Sequence, residues 1–347
     1  MKALMKIARG TGNIEIRDIE KPKPARGEVL IEVAAAGICG TDMHIRQDHS
    51  FYTPPVVLGH EYAGTVVEVG DGVKDIHLGD RVTSPATQYC GHCYQCKNAH
   101  VNRCTAEGKR ILGVSLANGG FAKYVSVPEY VLHKVPDGLS LQEAALSEPA
   151  ACVVRCVAER SPIAPGDVVL VQGPGTMGLI ATQVAKAMGA AKVIVTGITS
   201  DQWRFEIAKS VGADITIDVL TEKNAVDVVR GETDCAGADV VIEASGSAAA
   251  RRQALEFVKT TGHVTLLGTQ GTNTDLYLDH VVEKELTMSG SWGTLPSTWV
   301  MTLRMMASGQ LDVKPLITHR ISLDEWEKGF ELMETQKAIK VLFTQLE

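Results

Sequence analysis

A chain of 347 residues is too long for one small domain, and its composition, 45% hydrophobic and 22% charged, is typical of globular proteins. The formal net charge of -7 and the absence of a dense run of lysine and arginine argue against a nucleic-acid partner. The apolar runs are too short to span a membrane and the N-terminus lacks a secretory signal, so we expect a cytoplasmic protein.

The first part of the chain predicts a compact β-rich domain. Short apolar segments alternate with glycine and proline, which favour turns. The expected strands are 14–16, 29–33, 65–67, 81–82 and 124–127. Many short strands broken by glycine are typical of a barrel-like β fold.

One loop of that domain contains four cysteines: Cys90, Cys93, Cys96 and Cys104. Four thiolates at such short spacing can close a tetrahedral shell around zinc, which leaves no open position and therefore indicates a structural site. An iron–sulfur cluster is a rival, although the last gap is not a ferredoxin spacing. Four unrelated thiols are the plainest alternative. We expect His92 and His100, in the same loop, to lie at the surface.

From about residue 150 the pattern changes to strands that alternate with helices. The expected strands are 167–172, 192–196, 214–217, 239–243 and 263–267, and the expected helices are 177–188, 202–211, 222–230 and 248–259. This alternation predicts a parallel, doubly wound sheet. Helices near 298–308 and 324–335 then precede a run at 339–343 that we expect to be an edge strand.

The first strand of the alternating region leads into a glycine-rich turn. Gly173, Gly175 and Gly178 fit the spacing G-x-G-x-x-G, and Thr176 and Met177 fall where the next helix begins. In dinucleotide-binding proteins the first glycine permits the tight turn, the second lets the backbone approach the pyrophosphate, and the third lets the helix pack on the strand. The helix N-terminus then offers N–H groups to the phosphates. The alternative is a glycine turn of an ordinary α/β domain.

The second strand of this region should end in an acid that binds the adenosine ribose. Gly197 stands at that position, Asp201 follows four residues later, and Arg204 three after that. If Asp201 substitutes for the acid, the cofactor is NAD. If Thr199, Ser200 and Arg204 surround a 2′-phosphate, it is NADP. No lysine or arginine directly follows Gly197, so we expect NAD, with NADP as the alternative.

Taken together, these motifs resemble the zinc-dependent medium-chain dehydrogenase/reductase family over nearly the whole chain. The matching segments are 37–42, 59–61, the four-cysteine loop, 147–150 and the glycine turn. The resemblance is to the polyol (sorbitol-like) and threonine dehydrogenase branch, because Glu148 stands where ethanol-type enzymes place a cysteine ligand.

The resemblance implies an α/β protein with a GroES-like β-rich catalytic domain and a Rossmann domain. The catalytic domain would comprise residues 1–149 and 294–347, with a structural zinc lobe at about 88–106, and the dinucleotide-binding domain residues 150–293. The same resemblance implies a homotetramer or dimer that acts on a small-molecule alcohol.

The resemblance also implies a catalytic zinc bound by Cys39, His60 and Glu61, with Glu148 bound directly or through water. One thiolate and one carboxylate balance the charge of the ion, the imidazole is a neutral third ligand, and the fourth position stays open for water or substrate. Taken singly, Cys39 could be a buried thiol and His60 a core histidine. Cys152, close to Glu148, is a rival ligand that we expect to lie in the core instead.

A proton has to leave a site of this kind when an alcohol is oxidised. Thr41 resembles the Ser/Thr relay of the family, and His44 is placed to pass the proton to solvent. The simpler alternatives are that Thr41 caps a helix and that His44 is an ordinary surface histidine.

The activity expected from the resemblance is reversible oxidation of a secondary alcohol, such as a polyol, to a ketone by hydride transfer to NAD(P). Arg155 replaces the histidine that is usual in sorbitol dehydrogenases, and Trp292-Gly293 is closer to threonine dehydrogenases. Oxidation of a hydroxy-amino acid is therefore an alternative, and a non-catalytic protein that binds zinc and nucleotide is another. Four aromatic residues either line the substrate pocket or belong to the core: Phe51, Phe121, Trp292 and Trp299.

Overall fold

The computed structural model describes residues 1–49, 51–269, 271 and 273–347. Over these residues the chain divides into two compact units. The first unit comprises Met1–Pro149, Gly293–Ala307 and Ile317–Glu347, and the second comprises Ala150–Trp292 and Ser308–Leu316. Among the described helices, none combines the length and the apolar composition that crossing a membrane requires.

Strands and helices alternate unevenly along the chain. The strands are β1 (Lys2–Lys6), β2 (Ile14–Asp18), β3 (Glu28–Gly37), β4 (Val56–Val57), β5 (Glu61–Val69), β6 (Arg81–Thr83), β7 (Thr87–Gln88), β8 (Arg110–Leu112), β9 (Leu116–Ala117), β10 (Tyr124–Pro128), β11 (His133–Lys134), β12 (Val168–Gln172), β13 (Lys192–Gly197), β14 (Ile215–Asp218), β15 (Ala238–Glu243), β16 (Val258–Leu266), β17 (Thr287–Gly290), β18 (Ile317–Ser322) and β19 (Lys340–Gln345). The α-helices are α1 (Gly40–Arg46), α2 (Tyr94–Lys97), α3 (Leu141–Ala144), α4 (Ser147–Val154), α5 (Thr176–Ala187), α6 (Gln202–Ser210), α7 (Ala225–Gly231), α8 (Ala248–Phe257), α9 (Asp279–Glu283), α10 (Pro296–Ala307) and α11 (Trp326–Glu334).

The first unit is built around a seven-stranded sheet in the order β11-β6-β5-β3-β19-β18, in which β10 also pairs with β3. The pairings are antiparallel except for that of β18 with β19. Strand β3 is buried along most of its length because β5 covers one edge while β10 and β19 share the other. This architecture confirms the expected β-rich domain.

The prediction of an edge strand at 339–343 was wrong. Strand β19 lies inside the sheet, between β3 and β18, and its residues Val341 and Phe343 have no exposed surface. A strand that pairs on both sides is shielded from solvent, which accounts for its continuous apolar sequence. The edge at this end of the sheet is β18, which was not predicted.

The second unit is a six-stranded parallel sheet in the order β14-β13-β12-β15-β16-β17. It confirms the expected doubly wound fold. Val169, Leu170 and Val171 of β12 are fully buried, as the unbroken apolar run predicts for a central parallel strand. The strand order reverses between β12 and β15. In such sheets ligands bind at the carboxyl ends of the strands beside this reversal, which is where the glycine-rich turn lies.

Candidate active site

The catalytic zinc residues come from two paired strands of the first unit. Cys39 is the second residue after β3 and the N-cap residue of α1, while His60 directly precedes β5 and Glu61 is its first residue. Strands β3 and β5 are antiparallel neighbours, and their register places Gly37 opposite Glu61. The pairing therefore brings together two motifs that are more than twenty residues apart in the sequence.

The ligand atoms of Cys39, His60 and Glu61 all lie within 4.8 Å of one another. His60 is 5% exposed and Glu61 is fully buried. One thiolate, one imidazole and one carboxylate at such distances are a donor set that suits zinc and leaves a coordination position open. The residues present therefore fit the expected metal.

A buried carboxylate stands behind the histidine. The Asp42 Oδ1 and the His60 Nδ1 lie 4.0 Å apart, and within the described part of the chain neither atom has a hydrogen-bond partner. The other oxygen of Asp42 accepts the backbone N–H of Cys39 at 2.9 Å. A carboxylate that accepts the N–H of the second ring nitrogen orients a metal-binding histidine, and Asp42 is the acidic residue beside that nitrogen here, at ion-pair distance. Asp42 was not predicted from the sequence.

A second missed residue is Lys340, on β19. Its Nζ donates to both carboxylate oxygens of Glu61, at 2.9 and 2.7 Å, and to the carbonyl of Ile38 at 3.0 Å. Both charged side chains are almost completely buried. A Cβ on Gly37 would lie 2.4 Å from the Glu61 Oε2, so only glycine leaves room for this pair. No local sequence pattern could have revealed a partner 279 residues away.

The acidic surroundings of His60 and Lys340 favour the charged forms of these two side chains. Burial lowers the pKa of His60, but the neighbouring Cys39, Asp42 and Glu148 outweigh it, and the net shift is well above the usual value. Burial also opposes the charge of Lys340, yet Glu61 above all raises its pKa. Burial raises the pKa of Asp42. The imidazole and the ammonium group are thus stabilised by the acidic side chains around them.

The relay and fourth-ligand candidates lie on the adjoining helices. The Thr41 Oγ1 is 3.7 Å from the Cys39 Sγ, and His44 follows three residues later on α1, half-buried. Glu148, in the first turn of α4, is close enough to affect the pKa of His60, but it is not a member of the three-residue metal group. Cys152, further along α4, is also outside that group among the described residues.

The four cysteines of the lobe form a second metal group whose sulfur atoms also lie within 4.8 Å of one another. Two of the Sγ···Sγ distances, Cys90 to Cys96 and Cys93 to Cys104, are 3.9 Å. A tetrahedron with Zn–S bonds of about 2.3 Å has edges of about 3.8 Å, so these sulfurs fit a structural zinc. His92 and His100 are exposed, as expected.

We expect replacement of Cys96 by serine to remove one zinc per chain and to lower the thermal stability of the first unit. A hydroxyl is a poor zinc ligand, and Cys96 is a buried member of a closed shell. Zinc content and thermal denaturation measure the two effects. Replacement of Cys235, an exposed cysteine outside both metal groups, is the control and should change neither. Full zinc content in the Cys96 variant would contradict the assignment.

The glycine turn of the second unit has the geometry that the motif predicts. Gly173 has φ of 95°, which favours glycine. A Cβ on Gly178 would lie 1.8 Å from the Gly173 carbonyl oxygen, so α5 can approach the turn only with glycine there. A Cβ on Gly175 would meet no atom within 4 Å, so the space before the N-terminus of α5 is open. Thr176 and Met177 form the first residues of that helix, so the turn suits a pyrophosphate.

The two glycines should therefore respond differently to alanine. We expect Gly178→Ala to lower the free energy of unfolding of the second unit by about 1–3 kcal/mol, because the methyl group overpacks a closed contact. Gly175→Ala should leave stability unchanged and weaken dinucleotide binding by about tenfold, the equivalent of one lost contact. Urea unfolding and fluorescence titration with reduced dinucleotide measure these effects. Equal stability losses in the two variants would be inconsistent with the assigned roles.

At the end of β13 the structure places Gly197 beside the side chain of Asp201, which in turn contacts Arg204. Both side chains are buried and form an ion pair at 3.1 Å. Thr199 and Ser200 are exposed. The predicted ribose-binding residues thus lie close together at the carboxyl edge of the sheet.

The four aromatic residues separate into two groups. Phe121 and Trp299 are buried core residues of the first unit, and Phe121 packs edge-on against Phe343. Phe51 and Trp292 are 55% and 50% exposed. Arg155 donates to the carbonyl of Trp292 at 3.4 Å and lies 3.6 Å from the Glu159 carboxylate. Of the four, only the exposed pair remain candidates for substrate contact.

The chain matches two protein-family models. One is the alcohol dehydrogenase GroES-like domain, over residues 25–137, and the other is zinc-binding dehydrogenase, over residues 176–308. A sorbitol dehydrogenase of Halalkalibacterium halodurans is 37% identical over 349 residues, which cover 100% of both chains. An L-threonine 3-dehydrogenase of Pyrococcus horikoshii is 40% identical over 350 residues, which cover 99% of this chain and 98% of the relative.

Solved structures that contain either NADP or NADH resemble the chain. A zinc-binding dehydrogenase from Sinorhizobium meliloti bound to NADP has a TM-score of 0.91 and 33% identity, covering 99% of this chain and 98% of the other. An alcohol dehydrogenase from Escherichia coli complexed with NADH has a TM-score of 0.88 and 29% identity, with 99% of both chains covered. The likeness thus extends over the full length of the fold.

Proposed function

Because the chain belongs to the zinc-dependent medium-chain alcohol dehydrogenase family, we propose that it oxidises a secondary alcohol of the polyol or sugar-derived class to a ketone, reversibly. The activity common to this family is that of a zinc-containing, NAD(P)-dependent alcohol dehydrogenase. The structural zinc belongs to the four-cysteine lobe and the catalytic zinc to Cys39, His60 and Glu61. The observation that carries the proposal is this buried three-residue group, which leaves room for a substrate oxygen.

When bound, the zinc supplies Lewis-acid polarisation of the substrate oxygen and the dinucleotide supplies a hydride acceptor. The residues of the chain provide the setting for that chemistry. Lys340 neutralises the carboxylate of Glu61, and Asp42 holds His60 in one orientation. We assign Glu148, which is close enough to raise the pKa of His60, to the same site as a direct or water-mediated ligand.

The residues that move the proton are Thr41 and His44. Residues three apart on a helix share a face, so α1 presents both side chains on one side, beginning beside Cys39. The Thr41 hydroxyl accepts the hydroxyl proton of the substrate as it releases its own proton in the direction of His44, which is half-buried and passes a proton to solvent.

We expect Thr41→Ala to lower kcat by about a hundredfold, which is the lower end of what a general acid–base relay contributes. The zinc content should not change, because Thr41 is not a ligand. Steady-state kinetics and zinc analysis of the purified variant test both statements. Turnover within twofold of wild type would argue that Thr41 only starts the helix.

A hydroxy-amino acid is the second candidate substrate, and it is favoured by a specific observation. The L-threonine 3-dehydrogenase of Pyrococcus horikoshii is 40% identical, and Trp292-Gly293 resembles the pair found in such enzymes. The polyol class is supported by the sorbitol dehydrogenase relative, which matches along the full length of both chains. Cytoplasmic location and a homotetrameric or dimeric assembly stay predictions from the sequence resemblance.

A substrate panel distinguishes these functions. The absorbance of reduced nicotinamide is followed with NAD and with NADP, using sugar alcohols, simple secondary alcohols and L-threonine. The proposal expects the highest kcat/KM with a polyol. A preference for L-threonine would support the second candidate. If no alcohol reacts while zinc and dinucleotide bind in stoichiometric amounts, the chain is the non-catalytic binding protein.

A further inference from the structure

The carboxyl ends of β13 and β14 carry an unusual set of charges. The register of these parallel strands pairs Gly197 with Asp218, so the two residues end neighbouring strands. In doubly wound sheets this edge receives the adenosine ribose, and an acid at the end of the second strand hydrogen-bonds the ribose 2′-hydroxyl. Here that strand ends in glycine and cannot supply the acid itself.

The space beside Gly197 is filled by its neighbours. A Cβ at this position would lie 2.9 Å from the Phe205 Cε1 and 3.0 Å from the Asp201 Oδ2. The Asp201 carboxylate therefore lies where a strand-end side chain would begin. It is held there by the backbone N–H of Ile198, which donates to Oδ2 at 3.1 Å. Asp201 thus places a carboxylate at the strand end from a position four residues further along the chain.

The nearby cation is neutralised within the site. The Arg204 guanidinium donates to the Asp201 Oδ1 at 3.1 Å, and the two residues are only 9% and 7% exposed. Arg204 also lies over the Trp203 ring, 5.2 Å from its centroid. The charge of this guanidinium is therefore offset by the carboxylate of Asp201.

A second carboxylate adds a net negative charge. Asp218 is 8% exposed, and its Oδ2 accepts the Thr199 hydroxyl at 2.8 Å while its Oδ1 accepts the Leu220 N–H at 3.0 Å. Although burial opposes ionisation, these hydrogen bonds lower the pKa of Asp218, so the side chain is anionic at neutral pH. The Thr199 hydroxyl is likewise committed to Asp218 and is not free to bind a 2′-phosphate.

We infer that the chain selects NAD over NADP, with Asp201 replacing the strand-end acid and Asp201 and Asp218 together repelling a 2′-phosphate. One carboxylate, that of Asp201, is paired with Arg204, while that of Asp218 ends the neighbouring strand and accepts a hydrogen bond from Thr199, so the edge carries a net negative charge. A like charge placed against such an edge is costly. The inference rests on the proposed function only for the presence of a dinucleotide site. It depends on the strand-end residue being Gly197, which leaves the acidic role to Asp201.

Binding of the full-length wild-type protein tests the inference without substrate. NADH and NADPH are titrated by fluorescence, and 5′-AMP and adenosine 2′,5′-bisphosphate by calorimetry. We expect NADH and 5′-AMP to bind at least about tenfold more tightly than their 2′-phosphorylated counterparts. Equal or tighter binding of the 2′-phosphorylated members would overturn the inference. Tight NADH binding with no alcohol oxidised would instead count against the proposed function, so the two failures are distinguishable.

Two variants test whether Asp201 and Asp218 determine the preference for NADH over NADPH. Asp201→Asn removes one negative charge and leaves Arg204 unopposed, so the preference for NADH should fall by about tenfold or more. Asp218→Asn should also reduce the preference for NADH. If the Asp201 variant does not fold, the Asp218 variant tests the inference by itself. The matched control is Asp227→Asn, since Asp227 forms an equivalent but exposed pair with Arg230 at the same three-residue spacing. An unchanged preference in both site variants, or an equal change in the control, would contradict the assignment.

Discussion

Replacement of Cys39 by alanine is expected to abolish alcohol oxidation, with turnover falling by at least about a thousandfold. The change removes the thiolate from the three-residue group and leaves His60 and Glu61 as two donors, which do not retain a catalytic zinc. Lewis-acid stabilisation contributes several kcal/mol, and each 1.36 kcal/mol is worth about a factor of ten in rate. The absorbance of reduced nicotinamide measures the rate, and metal analysis measures the lost zinc. His60→Ala should behave in the same way.

The control for this result is another buried thiol. Cys156 has no exposed surface and belongs to neither metal group. Its replacement by alanine should lower stability slightly through a small cavity and leave turnover and zinc content close to wild type. Circular dichroism of all variants establishes that each is folded. Wild-type-like turnover by the Cys39 variant would refute the proposed catalytic zinc site.

Replacement of Lys340 by methionine is expected to lower the free energy of unfolding by about 3–5 kcal/mol, as is usual when one partner of a buried ion pair is removed. The Glu61 carboxylate is fully buried and, in protein stripped of zinc, would be left without its compensating charge. Urea unfolding measured by fluorescence gives the change. The double variant Lys340→Met, Glu61→Gln should recover a large part of the loss, because it removes the uncompensated charge as well.

An exposed pair provides the comparison for Lys340. Lys2 pairs with Asp324 at 2.8 Å, but the two side chains are 41% and 57% exposed. Surface ion pairs contribute little, so Lys2→Met should cause almost no change in stability. If the Lys340 variant were as stable as the Lys2 variant, the buried pair would have no special role in the first unit.

The parts of the site that could be predicted are those carried by short, local patterns. The spacing of the four cysteines and of the three turn glycines depends on nearby residues, and the structure gives both groups the expected geometry. Cys39, His60 and Glu61 were recognised because each stands in a short motif that resembles a known family. The alternation of strands and helices after residue 150 likewise predicts the parallel sheet that the structure contains.

The parts that could not be predicted depend on distant pairing. In the sequence Lys340 is only a polar residue at the start of an apolar run. Its contact with Glu61 depends on the pairing of β19 with β3. The same pairing explains why that strand was wrongly expected at an edge. Asp42 was missed because its function depends on the position of His60, which lies outside the helix that carries Asp42. Register between strands is a tertiary property that hydrophobic periodicity does not specify.

The central position of β19 has a consequence for how the first unit is made. The sheet of this unit cannot be completed on the ribosome until the strand that carries Lys340 has been synthesised, about 300 residues after the Ile38 carbonyl that it contacts. Before then Glu61 has no counterion and β3 lacks one of its neighbours. The second unit, most of which is one continuous stretch, contains its own sheet pairings much earlier in translation. Nascent chains halted before residue 340 should therefore carry a folded dinucleotide unit beside an incomplete catalytic one, and depend on chaperones until the last strand arrives.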